Sequence, residues 1–338
     1  MRWKIFFDDR KLIQASQALS GKSSSTLPEK TRQLRHLIRW SNNPRIIYEL
    51  IPNLSIIFKK HLLKTNSKGF RGPEYLEIKA ENTIRIVGLG DSYMFGWRVE
   101  AGEYYLSLLS NYLNRNSTNW KFEVINMAVP GYNTVMEVEA LKEKGLRYHP
   151  DIVVVHFTNN DMDLPNFIRE KADYFTIRKS YLIEFLDKRI RNSLSNPRDI
   201  FVRAPRHVSQ HRFENDPDRV PNKYKNLVGE GAFSLAMKEL KSLSQEHDFE
   251  LILFSDTFVP QSVEEICSSL KIPIVEAGNA VQEFMSKHNI KKFKRSIMVI
   301  SRNDDHPSSV SNRIFADVIY DYFKKSGVII KKMNKSGR

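Results

Sequence analysis

Ile84-Arg85-Ile86-Val87-Gly88-Leu89 is an apolar run interrupted by one arginine, and it leads straight into Gly90-Asp91-Ser92. So short a run, nearly continuous and closed by a glycine turn, is the pattern of a strand buried on both faces. Four more runs of the same kind follow at 122–126, 152–157, 251–254 and 272–275. Helical periodicity separates them, at 103–114, 135–146, 232–247, 262–270 and 277–288, and closes the series at 309–325. There Ile314, Phe315, Val318, Ile319, Tyr322 and Phe323 form one stripe. Strand and helix in alternation predict a parallel sheet covered on both sides, with right-handed crossovers. In such a sheet the ligand crevice lies beyond the carboxyl ends of the strands, at the topological switch point. Ser92 falls there, just past the first run.

Three further segments hold equivalent places. Met127-Ala128-Val129-Pro130-Gly131 follows the second run, Thr158-Asn159-Asn160-Asp161 follows the third, and Asp304-Asp305-His306-Pro307 directly precedes the last helix. A serine hydroxyl attacks well only when a positioned imidazole takes its proton, and a carboxylate fixes the tautomer of that imidazole. Ser92, His306 and a neighbouring aspartate offer these three parts. Gly131 lets a backbone N–H approach a substrate closely, and Asn160 donates without bringing a charge. Other polar residues read more plainly. Asp91 caps or braces the turn, His156 inside an apolar strand is a core histidine, and Asp161 supports its own loop.

These four blocks resemble the SGNH (GDSL) hydrolase family over residues 82–325. Gly88-Leu89-Gly90-Asp91-Ser92-Tyr93-Met94-Phe95-Gly96 matches the first block and implies Ser92 as nucleophile, with its N–H as one oxyanion donor. The second block implies the Gly131 N–H as another. The third is usually Gly-x-Asn-Asp; here threonine replaces the glycine, and the resemblance implies Asn160 as the oxyanion donor, with Asn159 its rival. In the last block the family's aspartate stands two or three residues before the histidine. Three before His306 is Asn303, so Asp304 is implied as the orienting carboxylate, with Asp305 as the rival. The implied fold is α/β, a flavodoxin-like three-layer α/β/α sandwich on a five-stranded parallel sheet, with a small N-terminal extension. Asn66-Ser67-Lys68-Gly69-Phe70-Arg71-Gly72 is similar to a lead-in of some bacterial members, and a cover on the sheet edge is its plain reading.

The expected division is a basic N-terminal extension at 1–81, a hydrolase domain at 82–330 with an insertion at 165–226, and a basic tail at 331–338. Of the net charge of +14, the first 80 residues carry most, with sixteen Lys or Arg against six Asp or Glu. Residues 1–28 read as a polar arm and 29–40 as a basic helix. Residues 45–60 read as two short strands around Pro52-Asn53. The insertion holds fourteen basic against eight acidic residues and an amphipathic helix at 181–194. Weak contact with an anionic surface is an expected consequence of this charge. No zinc-ligand spacing, RNA-binding aromatic signature or dinucleotide fingerprint accompanies it, so specific nucleic-acid binding is not expected.

The single cysteine, Cys267, excludes an internal disulfide. No apolar run reaches the length of about 18 residues that a spanning helix needs, and the N-terminal apolar stretch ends at Asp8-Asp9, so a cytoplasmic protein is expected. The resemblance implies a serine hydrolase of small acyl esters, O-acetyl groups on carbohydrate included, acting through an acyl-enzyme without metal or organic cofactor. An acyltransferase using the same residues and a non-catalytic binder of an acidic polymer or membrane surface are the alternatives.

Overall fold

The computed structural model describes residues 34–165, 215–218, 220 and 222–336. The 1–28 arm and the 181–194 helix lie outside them. Five strands form one parallel sheet: β5 (Thr83–Leu89), β6 (Lys121–Asn126), β7 (Ile152–Phe157), β8 (Glu250–Ser255) and β9 (Ile274–Glu276), in the spatial order β6-β5-β7-β8-β9. This is the flavodoxin-like order, with its switch point between β5 and β7. Both of these strands are buried along their whole length, which is why their sequences scarcely alternate.

Arg85 is the exception within β5, and its surroundings explain it. The guanidinium is 1% exposed, pairs with Glu123 of β6 at 2.6 Å, and donates to the carbonyls of Tyr148, Leu76 and Glu77. A buried charge is tolerated when each donor has such a partner.

The connecting helices fall in two layers. On one side α2 (Tyr105–Arg115), α6 (Gly278–Lys287) and α7 (Ser309–Ser326) pack together; on the other are α3 (Thr134–Ala140), α4 (Gly229–Glu246) and α5 (Gln261–Ser269). Tyr105 of α2 meets Phe315 of α7 edge to face at 6.0 Å. The helix expected at 135–146 stays regular only to Ala140, then widens into a π turn at Leu141–Gly145 and a tight turn at Leu146–Tyr148. Residues 331–336 of the expected tail continue α8 (Val328–Ser336), which seats Lys332 on the carbonyl of Asp248. Among the described residues no helix is long and apolar enough to cross a membrane.

The N-terminal section departs from its sequence reading. Where a helix was expected over 29–40, the described part holds a single tight turn and β1 (Ile38–Trp40), which pairs antiparallel with β2 (Tyr48–Leu50). Helical spacing of Leu34, Leu37 and Ile38 was overridden by a partner strand ten residues on, reinforced by the Arg39–Glu49 ion pair at 2.6 Å. The two strands flanking Pro52-Asn53 exist but belong to different hairpins: β3 (Ser55–Phe58) pairs with β4 (His61–Lys64).

The lead-in motif then runs against the edge strand β6. The Tyr75 hydroxyl donates to the Val124 carbonyl at 2.8 Å, and the Arg71 backbone bridges Asn126. The Arg71 side chain is buried and donates to the carbonyls of Phe95, Gly96 and Val99 at 2.5–2.6 Å while lying over the rings of Phe95 and Tyr104. Burial lowers its pKa to about 10, which still leaves it charged at neutral pH. Arg71 thus ties the turn at 95–99 into the core. Arg71→Met leaves three buried carbonyls without donors and is expected to cost about 3 kcal/mol, read as a lower urea midpoint at unchanged slope.

Candidate active site

The nucleophile candidate stands where β5 ends. Ser92 opens the one-turn helix α1 (Ser92–Phe95), whose N-cap is Asp91; the Asp91 carboxylate accepts the Tyr93 N–H at 2.8 Å. Gly96 ends the turn with φ 79°, a conformation that favours glycine.

His306 arrives from the far end of the chain on a feature absent from the sequence reading. Val299–Ser301 (β10) and Asp304–Pro307 (β11) form a small antiparallel hairpin ahead of α7. It sets His306 Nε2 2.9 Å from Ser92 Oγ, and His306 Nδ1 2.6 Å from Asp304 Oδ1. A carboxylate at Nδ1 keeps the proton there, so Nε2 is left as the acceptor for the serine hydroxyl. Ser92 Oγ also lies 3.4 Å from Asp91 Oδ2, a longer and weaker alternative for the same proton. Asp305 turns away from the ring and pairs with Lys294 at 3.2 Å.

Asp304 is held at both oxygens. Arg98 Nη1 donates to Oδ2 at 2.9 Å, and the His306 backbone N–H adds a weak contact to Oδ1 at 3.3 Å. Burial pushes the Asp304 carboxyl up, but hydrogen bonds from His306 and Arg98 outweigh it and hold the group well below the ordinary carboxylate range. The imidazole itself is flanked by rings, Tyr93 at 5.4 Å and Trp97 at 5.6 Å between centroids. Trp97 in turn abuts Phe58 of β3 edge to face at 4.9 Å, so the N-terminal hairpins brace this wall.

The loops after β5, β6 and β7 are laced together at the same end of the sheet. Val129 N–H donates to the Gly90 carbonyl at 3.0 Å, and Thr134 N–H to the Asp161 carbonyl at 3.2 Å. Gly131 sits between them with φ 85°, and a Cβ there would lie 2.8 Å from Tyr48 Oη, which donates to the Pro130 carbonyl. Only glycine fits both the dihedral and the space.

Among the described residues the three expected oxyanion donors have no partner. The Ser92 N–H is free because it opens a helix, and the Gly131 N–H makes no hydrogen bond. The third is Asn160 Nδ2, which is buried and unsatisfied. The Asn160 carbonyl oxygen, by contrast, lies 3.0 Å from the Thr158 hydroxyl, so the amide presents its NH₂ group outward from that contact. The threonine that replaces a glycine in this block therefore orients the amide. Asn159, the other candidate, is exposed.

Behind the loop Asp161 accepts from the Thr134 hydroxyl and shares the single Thr158 hydroxyl proton with the Asn160 amide oxygen, while both carboxylate oxygens of buried Glu137 lack a partner among the described residues. Burial, and then the charge of Asp161, push the Glu137 carboxyl up; burial and Asp91 do the same for Asp161. His156 is a core histidine, its Nδ1 3.0 Å from the Tyr105 hydroxyl.

Residues Arg98, Trp97 and Tyr93 have no role in the sequence reading. Only the position of Tyr93, next to the serine, offered a signal.

Residues 89–235 match the GDSL-like Lipase/Acylhydrolase family model. The match contains Ser92, Gly131 and Asn160 and stops before Asp304 and His306. No curated protein matches the chain. Among solved structures the chain is similar to the acetyl xylan esterase AlAXEase, at 14% identity and TM-score 0.44, covering 70% of this chain and 98% of that one. It is also similar to the lipase/acylhydrolase from Enterococcus faecalis, at 16% identity and TM-score 0.42 (72% and 96% covered). The esterase EstA from Pseudoalteromonas sp. stands at 13% and 0.41 (72% and 98%). Likenesses this distant carry nothing about substrate.

Proposed function

We propose that this chain, of which residues 89–235 match the GDSL-like Lipase/Acylhydrolase family model, hydrolyses small acyl esters through Ser92, His306 and Asp304. The observation that carries the reading is the unbroken line of two hydrogen bonds, 2.9 and 2.6 Å, from the Ser92 hydroxyl through the His306 ring to the Asp304 carboxylate. Ser92 Oγ attacks the ester carbonyl as its proton passes to His306 Nε2. Asp304 then faces an imidazolium, which its charge stabilises.

The negative charge that forms on the carbonyl oxygen is taken up by the N–H groups of Ser92 and Gly131 and by Asn160 Nδ2. Each donor is already free of other bonds, so no reorganisation is required when the charge appears. His306 returns its proton to the departing alcohol. Water, deprotonated by the same ring, then releases the acid from Ser92.

Within small acyl esters we favour O-acetyl groups on carbohydrate, because the partly exposed rings of Tyr93 and Trp97 beside the imidazole offer a face to a sugar ring. A series of p-nitrophenyl esters from acetate to decanoate, with acetylated oligosaccharides alongside, tests this. The highest kcat/KM belongs to acetate, and a maximum at long acyl chains would overturn the small-acyl assignment.

Asn160→Ala removes one oxyanion donor and is expected to lower kcat by about a hundredfold to a thousandfold with KM little changed. Asn160 Nδ2 has no partner in the resting fold, and the Thr158 hydroxyl that loses the amide oxygen still has Asp161 at 3.1 Å, so thermal stability should fall little with it. A matching loss of stability would point to a structural amide instead.

A further inference from the structure

We propose that Arg98 is a positioning residue of the hydrolytic site, holding the outer oxygen of Asp304 so that the inner one is aimed at His306; this rests on the hydrolase reading above. The carboxylate is gripped from both sides. Arg98 Nη1 is 2.9 Å from Oδ2 and His306 Nδ1 is 2.6 Å from Oδ1, which leaves the plane of the group little freedom to rotate. Without the guanidinium the carboxylate could swing about its last torsion, and the tautomer of the ring would be set less firmly.

Two features of Arg98 run against local preference, and both are accounted for by that contact. Its backbone has φ 58°, in the left-handed region where glycine or asparagine is the comfortable choice. Its Nε is buried without a partner among the described residues. The guanidinium's polar contact among those residues is the one to Asp304, 206 positions away in the chain. Arg98 therefore occupies a position whose backbone does not call for a side chain, at the expense of an unsatisfied donor, and touches the orienting carboxylate with it.

The turn that carries it is itself fixed. Arg71 of the lead-in motif donates to the carbonyls of Gly96 and Val99 on either side, and Trp97, the preceding residue, lies beside the His306 ring. The lead-in thus acts on the site through Arg98 and Trp97, a role that its sequence did not disclose. Strained backbone of this sort persists where the surroundings over-determine it.

The test uses Arg98→Gly and Arg98→Lys in the full chain, with p-nitrophenyl acetate as substrate. Arg98→Gly relieves the backbone, so its melting temperature should equal or exceed that of the parent, yet kcat falls tenfold or more with KM little changed. Arg98→Lys restores part of kcat. Unchanged kcat in Arg98→Gly overturns the proposal, and so does a loss that lies in KM, that comes with a lower melting temperature, or that Arg98→Lys does not rescue, any of which marks a merely structural residue. Asp304→Asn measured in parallel separates the two readings. A loss there beside an unaffected Arg98→Gly rejects only the role of Arg98, full activity in Asp304→Asn rejects Asp304 as the orienting carboxylate, and a parent that turns over no ester rejects the hydrolytic assignment itself.

Discussion

Ser92→Ala should lose about five to six orders of magnitude in kcat on p-nitrophenyl acetate while keeping its fold. The loss follows from chemistry: without Oγ no acyl-enzyme forms, and His306 has no hydroxyl to deprotonate. What survives is the contribution of the oxyanion donors and of substrate positioning, which in such sites still exceeds the uncatalysed reaction. The fold survives because Ser92 is only partly buried and, among the described residues, its Oγ reaches just His306 at 2.9 Å and Asp91 at 3.4 Å. The N-cap that starts α1 belongs to Asp91, so alanine at the first helical position disturbs no backbone partner. A phosphonate ester gives a second readout. It should add its mass to the parent at Ser92 and leave the variant unlabelled. A variant keeping more than about one part in a hundred of the parental rate, in a preparation shown free of contaminating esterase, would remove Ser92 from the reaction.

The sheet was legible in the sequence because burial on both faces writes itself as uninterrupted apolar residues, and all five expected runs appear as strands within two residues of their expected bounds. The site loops were legible because topology fixes where a strand's carboxyl end must lie. The contacts that hold them were not. Arg98 meets Asp304 across 206 residues, and nothing in either neighbourhood announces it. Arg85 looked like a blemish in an apolar strand, yet it is an interior charge with a full set of acceptors. The same blindness explains the N-terminal section. Leu34, Leu37 and Ile38 fit a helical face, but the Ile38 backbone had a strand waiting at Leu50. Local periodicity decides only where no distant partner competes for the backbone.

The β10–β11 hairpin shows what a three-residue strand can determine. It was unread because Val299–Ser301 is too short to show a period, and the two residues of its turn, Arg302 and Asn303, are ordinary polar ones. Yet it chooses between two adjacent aspartates. Side chains on a strand alternate, so Asp304 and His306, two apart, share a face, and Asp305 points to the other, where Lys294 meets it.

Asp304→Asn is therefore expected to lower kcat by about three to four orders of magnitude, while Asp305→Asn stays within about threefold of the parent. The amide keeps the shape of the carboxylate but can donate to Nδ1, which selects the tautomer with the proton on Nε2 and takes away the acceptor that Ser92 needs. A stability signature accompanies the kinetic one. The Asp304 carboxyl is depressed in the folded state, so its contribution is fully present above the unfolded value near about pH 4 and is lost as pH falls through the lower folded value. The urea midpoints of parent and Asp304→Asn should accordingly differ at pH 7 and converge as the pH is lowered below about 4. Equal kinetic losses in the two asparagine variants would mean that the alternation of β11 does not govern the site, and the orienting role would then pass from one residue to the pair.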